Sequence, residues 1–145
     1  VSKGDSVQVT FGMFDGTCSA LGVIVATAAT GNAKAVVVAA VALAVGAAVS
    51  MGAGEWLSDT QADRRKAVVM ALATLAGSIL PAVPFFALRG TLAWLCCGAV
   101  TLGLGAVIAE VRPGGALRSY MLTFTVLILA SGLAVATSLA AGSVA

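Results

Sequence analysis

Two carboxylates stand where charge is otherwise missing. Asp15 is the only charged residue between Ser6 and Ala33, and Glu55 ends the charge-free run 35–54. An ionisable side chain inside so apolar a stretch is costly and points to function. Both have neighbours at helical spacing. Met51 lies four residues before Glu55 and shares its helix face, and Cys18 lies three after Asp15. Carboxylate oxygens beside a thioether make a metal site of mixed hardness. Such a site suits Mn2+ or Fe2+ better than Ca2+, which prefers oxygen alone, or Cu+, which prefers sulfur alone. Carboxylates that bind a metal also bind protons. One site where a metal enters and protons leave is the minimal chemistry of an antiporter. The candidate metal residues are therefore Asp15, Met51 and Glu55, with Cys18 beside them.

Plainer readings of the same residues stand beside this one. Glu55 precedes Trp56, an interface-type aromatic, and so fits the interfacial end of a helix. Asp15 fits a charge favoured by the helix dipole. Met51 fits core filler, and Cys18, Cys96 and Cys97 fit small buried hydrophobes. Asp59 and Glu110 read as solvated boundary charges at helix ends.

The elements that would carry these residues follow from composition. The 145 residues are 60% hydrophobic and 10% charged, with mean hydropathy +1.07, whereas soluble domains average about 25% charged. Eight basic and six acidic residues cannot coat a water-facing surface, so lipid is the solvent for most side chains. The net charge of +2 gives no case for nucleic acid, and no basic cluster is interleaved with aromatics. There is no histidine, which removes the commonest general base and transition-metal ligand. No nucleophile–base pair or phosphate loop is placed, so an enzyme is not expected.

Charge-free runs at 16–33, 35–54, 67–88, 90–109 and 119–145 are 18 to 27 residues long, and about 20 apolar residues cross the hydrocarbon core as a helix. The expectation is an all-α membrane protein, a five-transmembrane-helix bundle with spans near 8–31, 35–57, 67–88, 90–109 and 119–141. The linkers are short: Gly31–Lys34, Ser58–Lys66, Arg89-Gly90, and Glu110–Arg118 with its Pro-Gly-Gly turn. They leave one transmembrane domain over 1–145. Lys3 and Asp5 precede a full span, so no cleavable leader is expected. With the N-terminus in the cytoplasm, Lys3, Arg64, Arg65, Lys66, Arg112 and Arg118 lie inside and only Lys34 and Arg89 outside. The positive-inside bias favours that orientation, with the C-terminus on the opposite side. Antiparallel helices then bring Asp15, placed near the start of helix 1, and Glu55 into one half of the membrane.

Small residues add packing signals. Gly46, Ser50 and Gly54 form a ridge on helix 2, and Gly12 and Gly16 recur at the same spacing on helix 1. Such ridges let helices approach closely, and here they are expected to pack helices 1 and 2 around the carboxylate face. Pro81 and Pro84 mark a kink in helix 3, either a packing bend or a place where freed carbonyls line a polar path.

Together these segments resemble the vacuolar iron transporter family. Phe14-Asp15-Gly16, running on to Ala29-Thr30-Gly31, is similar to that family's first-helix Asp-Gly motif. Residues 49–58, VSMGAGEWLS, resemble its second-helix Ser-Met-Gly-x-Gly-Glu-aromatic signature, and 76–86, AGSILPAVPFF, resemble its third helix. The resemblance implies a homodimer of five-helix subunits with an ion path near the two-fold axis. It implies export of Fe2+, and often Mn2+, from the cytoplasm in exchange for protons, with these ions as cargo and no permanently bound cofactor. By position, Asp15 would be the intramembrane metal and proton carboxylate, Met51 the thioether ligand and Glu55 the second-helix acid. Cys18 is not part of the motif. The family's metal-collecting cytoplasmic insertion between helices 2 and 3 is reduced here to Ser58–Lys66. Two other classes remain open: a non-transporting membrane scaffold, and a metal-independent bundle conducting protons or solute.

Overall fold

The computed structural model describes residues 5–28, 31–59, 63–112 and 115–142. Lys3, Ala29-Thr30, residues 60–62 of the second linker and Pro113-Gly114 of the expected turn lie outside them. Every described regular element is helical: α1 (Ser6–Ala28), α2 (Ala33–Ser58), α3 (Arg64–Ile79), a 3-10 turn (Leu80–Ala82), the short α4 (Pro84–Ala87), α5 (Gly90–Val111) and α6 (Ala116–Gly142). Five segments are long and apolar enough to cross a membrane: α1, α2, Arg64–Ala82, α5 and Ala116–Ser138. Lipid forces this choice, because only helices pair all their backbone groups within the segment.

The turns follow from local chemistry. Gly31 adopts φ +70°, a left-handed conformation that closes a helix at little steric cost, and its N–H donates to the Ala28 carbonyl at 3.0 Å. Asn32 then caps α2, its side-chain oxygen accepting from the Lys34 backbone N–H at 3.0 Å. Asp63 caps α3 in the same way, accepting from the Arg65 N–H at 2.9 Å.

The interruption expected in helix 3 falls at Pro81 and Pro84, and the membrane-length segment ends at Ala82 rather than at residue 88. Helix α3 stops at Ile79, and the chain resumes as α4 after the 3-10 turn. Pro81 has no N–H to give the Gly77 carbonyl, and its ring crowds that turn. The freed Gly77 carbonyl instead lies 3.3 Å from the Thr17 hydroxyl, which also donates to Met13 O at 2.7 Å. Thr17 is 0% exposed. The carbonyl freed by Pro81 is therefore absorbed in helix packing and lines no polar path.

The packing order also differs from expectation. The close partner of α1 is α3. A Cβ on Gly12 would meet Met70 O at 2.8 Å, one on Gly16 would meet the Ser78 N at 2.9 Å and strike Thr74 O, and one on Gly77 would meet Met13 Cα at 2.9 Å. Helix α2 packs on the same central helix, with Gly52 against Ala71, where an added Cβ would sit 2.9 Å from the Ala71 Cβ. Meanwhile Gly46, Ser50 and Gly54 are exposed, with nothing within 4 Å of a Cβ built at either glycine. That ridge faces out of the subunit and takes no part in joining α1 to α2. Sequence spacing shows that a ridge exists but not which helix fills it.

The two ends of the bundle differ in chemistry. At one end Arg65 bonds Asp5 at 2.7 Å and Lys66 bonds Asp59 at 3.0 Å. At the same end Tyr120 donates to Glu110 at 2.6 Å, and Ser119 donates to Ala109 O at 2.7 Å, tying α5 to α6. Glu110 and Asp59 both stand at helix ends, but the Asp59 side chain is only 14% exposed and paired with Lys66, so it is not the solvated charge the sequence suggested. Val7 and Arg112 line one cavity at this end, and Lys34 and Arg89 line another at the opposite end. Toward that opposite end Ala20, Ile24, Val36, Ala40, Ala82 and Cys97 form an apolar core. There Phe85 meets Trp94 edge to face at 5.2 Å. Cys97 acts as a small hydrophobe, and Cys18, Cys96 and Cys97 are all free thiols.

Candidate metal path

Helix α2 ends where α1 begins, and the structure fastens the two there. The Gln8 amide donates from Nε2 to Glu55 Oε1 at 2.9 Å across 47 residues of chain. Gln8 is 8% exposed and Glu55 is half-buried. Trp56, next to Glu55, is 45% exposed, as befits a ring at the lipid–water boundary.

From this anchor the other candidates can be placed by helical register. Asp15 follows Gln8 by seven residues, two turns, so it lies on the same side of α1 and about 10 Å deeper. It is the tenth of the 23 residues of α1, closer to mid-span than the sequence reading placed it. Met51 precedes Glu55 by four residues and lies about 6 Å deeper on the same side of α2. Asp15, Met51 and Cys18 are each half-buried. Gln8 with Glu55, then Met51, then Asp15 are thus spread in depth along their helices rather than gathered in one cluster. Among the described residues no three His, Cys, Asp or Glu side chains gather into a metal-binding group.

Asp15 is the most informative member. Among the described residues it makes no hydrogen bond or ion pair. Dipole stabilisation fades within the first turn of a helix, so at the tenth position it no longer accounts for this residue. A carboxylate held at mid-span without a partner carries a desolvation cost that the single subunit does not offset. What holds it in place is steric. The next residue, Gly16, is clamped against α3, and that contact fixes the rotation of α1.

Gln8 escaped the sequence reading because that reading followed formal charge. The signal was present: a lone amide two turns before Asp15, in a run that is otherwise apolar or hydroxyl-bearing. Thr17 was missed for a similar reason, since its partner exists only because Pro81 has no N–H.

Residues 7–65 match the model of the VIT family. The matched segment carries both motif regions, with Gln8, Asp15, Met51 and Glu55 inside it. The match supports the resemblance to vacuolar iron transporters read from the sequence. No curated protein and no solved structure matches the chain.

Proposed function

We propose that this chain carries divalent transition-metal ions, Fe2+ or Mn2+, out of the cytoplasm in exchange for protons, working as a homodimer. The observation that carries the reading is Asp15, an unpartnered carboxylate at the middle of a membrane span. The family match over its surroundings and the five apolar spans support it. A single subunit offers one such carboxylate and the one thioether of Met51 near Glu55. A second copy related by a two-fold axis doubles both, and the outward-facing ridge of Gly46, Ser50 and Gly54 leaves α2 free for close approach.

The mechanism follows from charge and hydration. A divalent ion leaving water loses its shell, and deprotonated Glu55 and Asp15 offset that loss more strongly in a low-dielectric interior than they would in water. Met51 supplies a soft atom that Mg2+ and Ca2+ gain little from. On the acidic side protons compete for the same oxygens, and the metal is released. Orientation rests on Arg64, Arg65, Lys66, Arg112 and Arg118 at one end against Lys34 and Arg89 at the other. That bias puts the Gln8–Glu55 end in the cytoplasm and the C-terminus on the far side. The test is uptake of Fe2+, Mn2+, Co2+ and Zn2+ into proteoliposomes across an imposed pH gradient. Transport of Fe2+ or Mn2+ that collapses with the gradient supports exchange. Proton flux unchanged by metal would favour the conducting-bundle alternative, and neither flux would favour a scaffold.

A further inference from the structure

We propose that Gln8 and Glu55 together form the site that first holds the cation at the mouth of the path, with the Gln8 amide oxygen as a ligand; this rests on the transport reading above. The amide has two ends with different tasks. Its Nε2 donates to Glu55 Oε1 and so fixes the carboxylate while leaving Oε2 uncommitted among the described residues. Its own Oε1 is buried with no donor, in a side chain 8% exposed. Buried acceptors without a partner are rare in folded proteins and ask for a reason such as an ion. An amide oxygen accepts only, and a cation offers what it lacks. A carboxylate oxygen beside a neutral amide oxygen is a hard donor set that accepts Mn2+ or Fe2+ with water still attached. The thioether of Met51 comes one turn deeper, so the softer test of the ion follows its capture.

The linker leaves this task to the helices. Asp59 is paired with Lys66, and Asp63 spends an oxygen on capping α3. Among the described residues Gln8 and Glu55 join α1 to α2 at this end, and the Gln8 Oε1 is the buried oxygen left there without a donor.

The rival account is that Gln8 only clamps α1 to α2. Two substitutions separate the accounts, read by Mn2+ binding to the purified full-length protein in detergent, with free Mn2+ followed by electron paramagnetic resonance. Gln8→Leu removes both the donor and the oxygen. Gln8→Glu removes the donor but keeps an oxygen. If Gln8 is a ligand, Gln8→Leu weakens Mn2+ binding at least fivefold, and Gln8→Glu binds as tightly as wild type or tighter. If Gln8 is only a clamp, both substitutions lose it and behave alike, and that result overturns the proposal. Unchanged affinity in Gln8→Leu also overturns it while leaving the transport reading intact. Should Gln8→Leu fail to fold, a fivefold loss of affinity in Gln8→Glu alone overturns the proposal, and retained affinity sustains it. A wild-type protein that binds no Mn2+ overturns the proposal together with the transport reading.

Discussion

Replacing Gly16 by alanine asks α1 and α3 to separate. The new Cβ would strike Thr74 O and sit 2.9 Å from both the backbone N and the hydroxyl of Ser78. Two of these three atoms are backbone within α3, so no side-chain rotation relieves the overlap. Overpacking of this kind costs about 1–3 kcal/mol, and a rigid backbone neighbour puts Gly16 at the upper end. The alanine returns about 1 kcal/mol of helix propensity, so the net loss is about 2 kcal/mol. For a chain of this size that lowers Tm by roughly 4–8 °C. Gly46→Ala is the matched control for packing within the subunit, where its Cβ enters open space. It keeps the propensity gain and leaves Tm unchanged or slightly higher. The assay is thermal unfolding in one detergent, followed by the loss of monodisperse protein on size exclusion. Equal Tm for Gly16→Ala and wild type would refute the placement of α3 as the partner of α1. A Gly46→Ala protein that melts normally but loses its dimer would assign the outer ridge to a second copy.

Further outcomes follow from the same structure. Met51→Leu keeps the volume but removes the sulfur, so transport of Fe2+ falls more than any residual transport of Mg2+; equal losses would remove the thioether from the path. Thr17→Val leaves the Gly77 carbonyl buried without a donor, at a cost of about 1–3 kcal/mol, measured as a lower Tm. Adding Pro81→Ala supplies a backbone N–H at the position that would reach that carbonyl, and the double variant recovers part of the loss; strictly additive effects would refute the link between Thr17 and Pro81. Arg65→Ala breaks the ion pair with Asp5, whose side chain is only 12% exposed against 68% for Arg65. Leaving that carboxylate unpaired costs more than the ~1 kcal/mol of a fully exposed pair, so Tm falls, and an unchanged Tm would mean the pair does not anchor α1.

Much of the architecture was legible from charge alone. Lipid imposes a length on every span, and charge-free runs report that length directly, so α1, α2, α5 and α6 begin and end within a few residues of expectation. In the third span the prolines marked the break, but the end at Ala82 was not legible, because apolar length says nothing about backbone donors and Pro81 removes the one that α3 needed to continue. That α3 is the close partner of α1 was not legible. Gly12 and Gly16 look like Gly46 and Gly54 in sequence, and only the fold shows the first pair clamped on α3 and the second facing outward. At the site, Asp15, Met51 and Glu55 stood out because burial of charge or sulfur beside charge is conspicuous. Gln8 did not, since a neutral amide becomes informative only when its partner is known. The convergence of α1 and α2 followed from antiparallel geometry, but its depth did not. Glu55 meets Gln8 at the mouth, while Asp15 lies two turns further in.

The role of Asp15 is tested most directly by Asp15→Asn in the proteoliposome assay. The substitution keeps the size of the side chain and removes only its charge. The reconstituted variant should fold with a Tm at or above that of wild type, since a desolvated charge is removed, and show no Mn2+ or Fe2+ uptake under a pH gradient that drives the parent protein. Uptake at the parent's rate would contradict the account, for the ion would then be crossing without the carboxylate placed in its way.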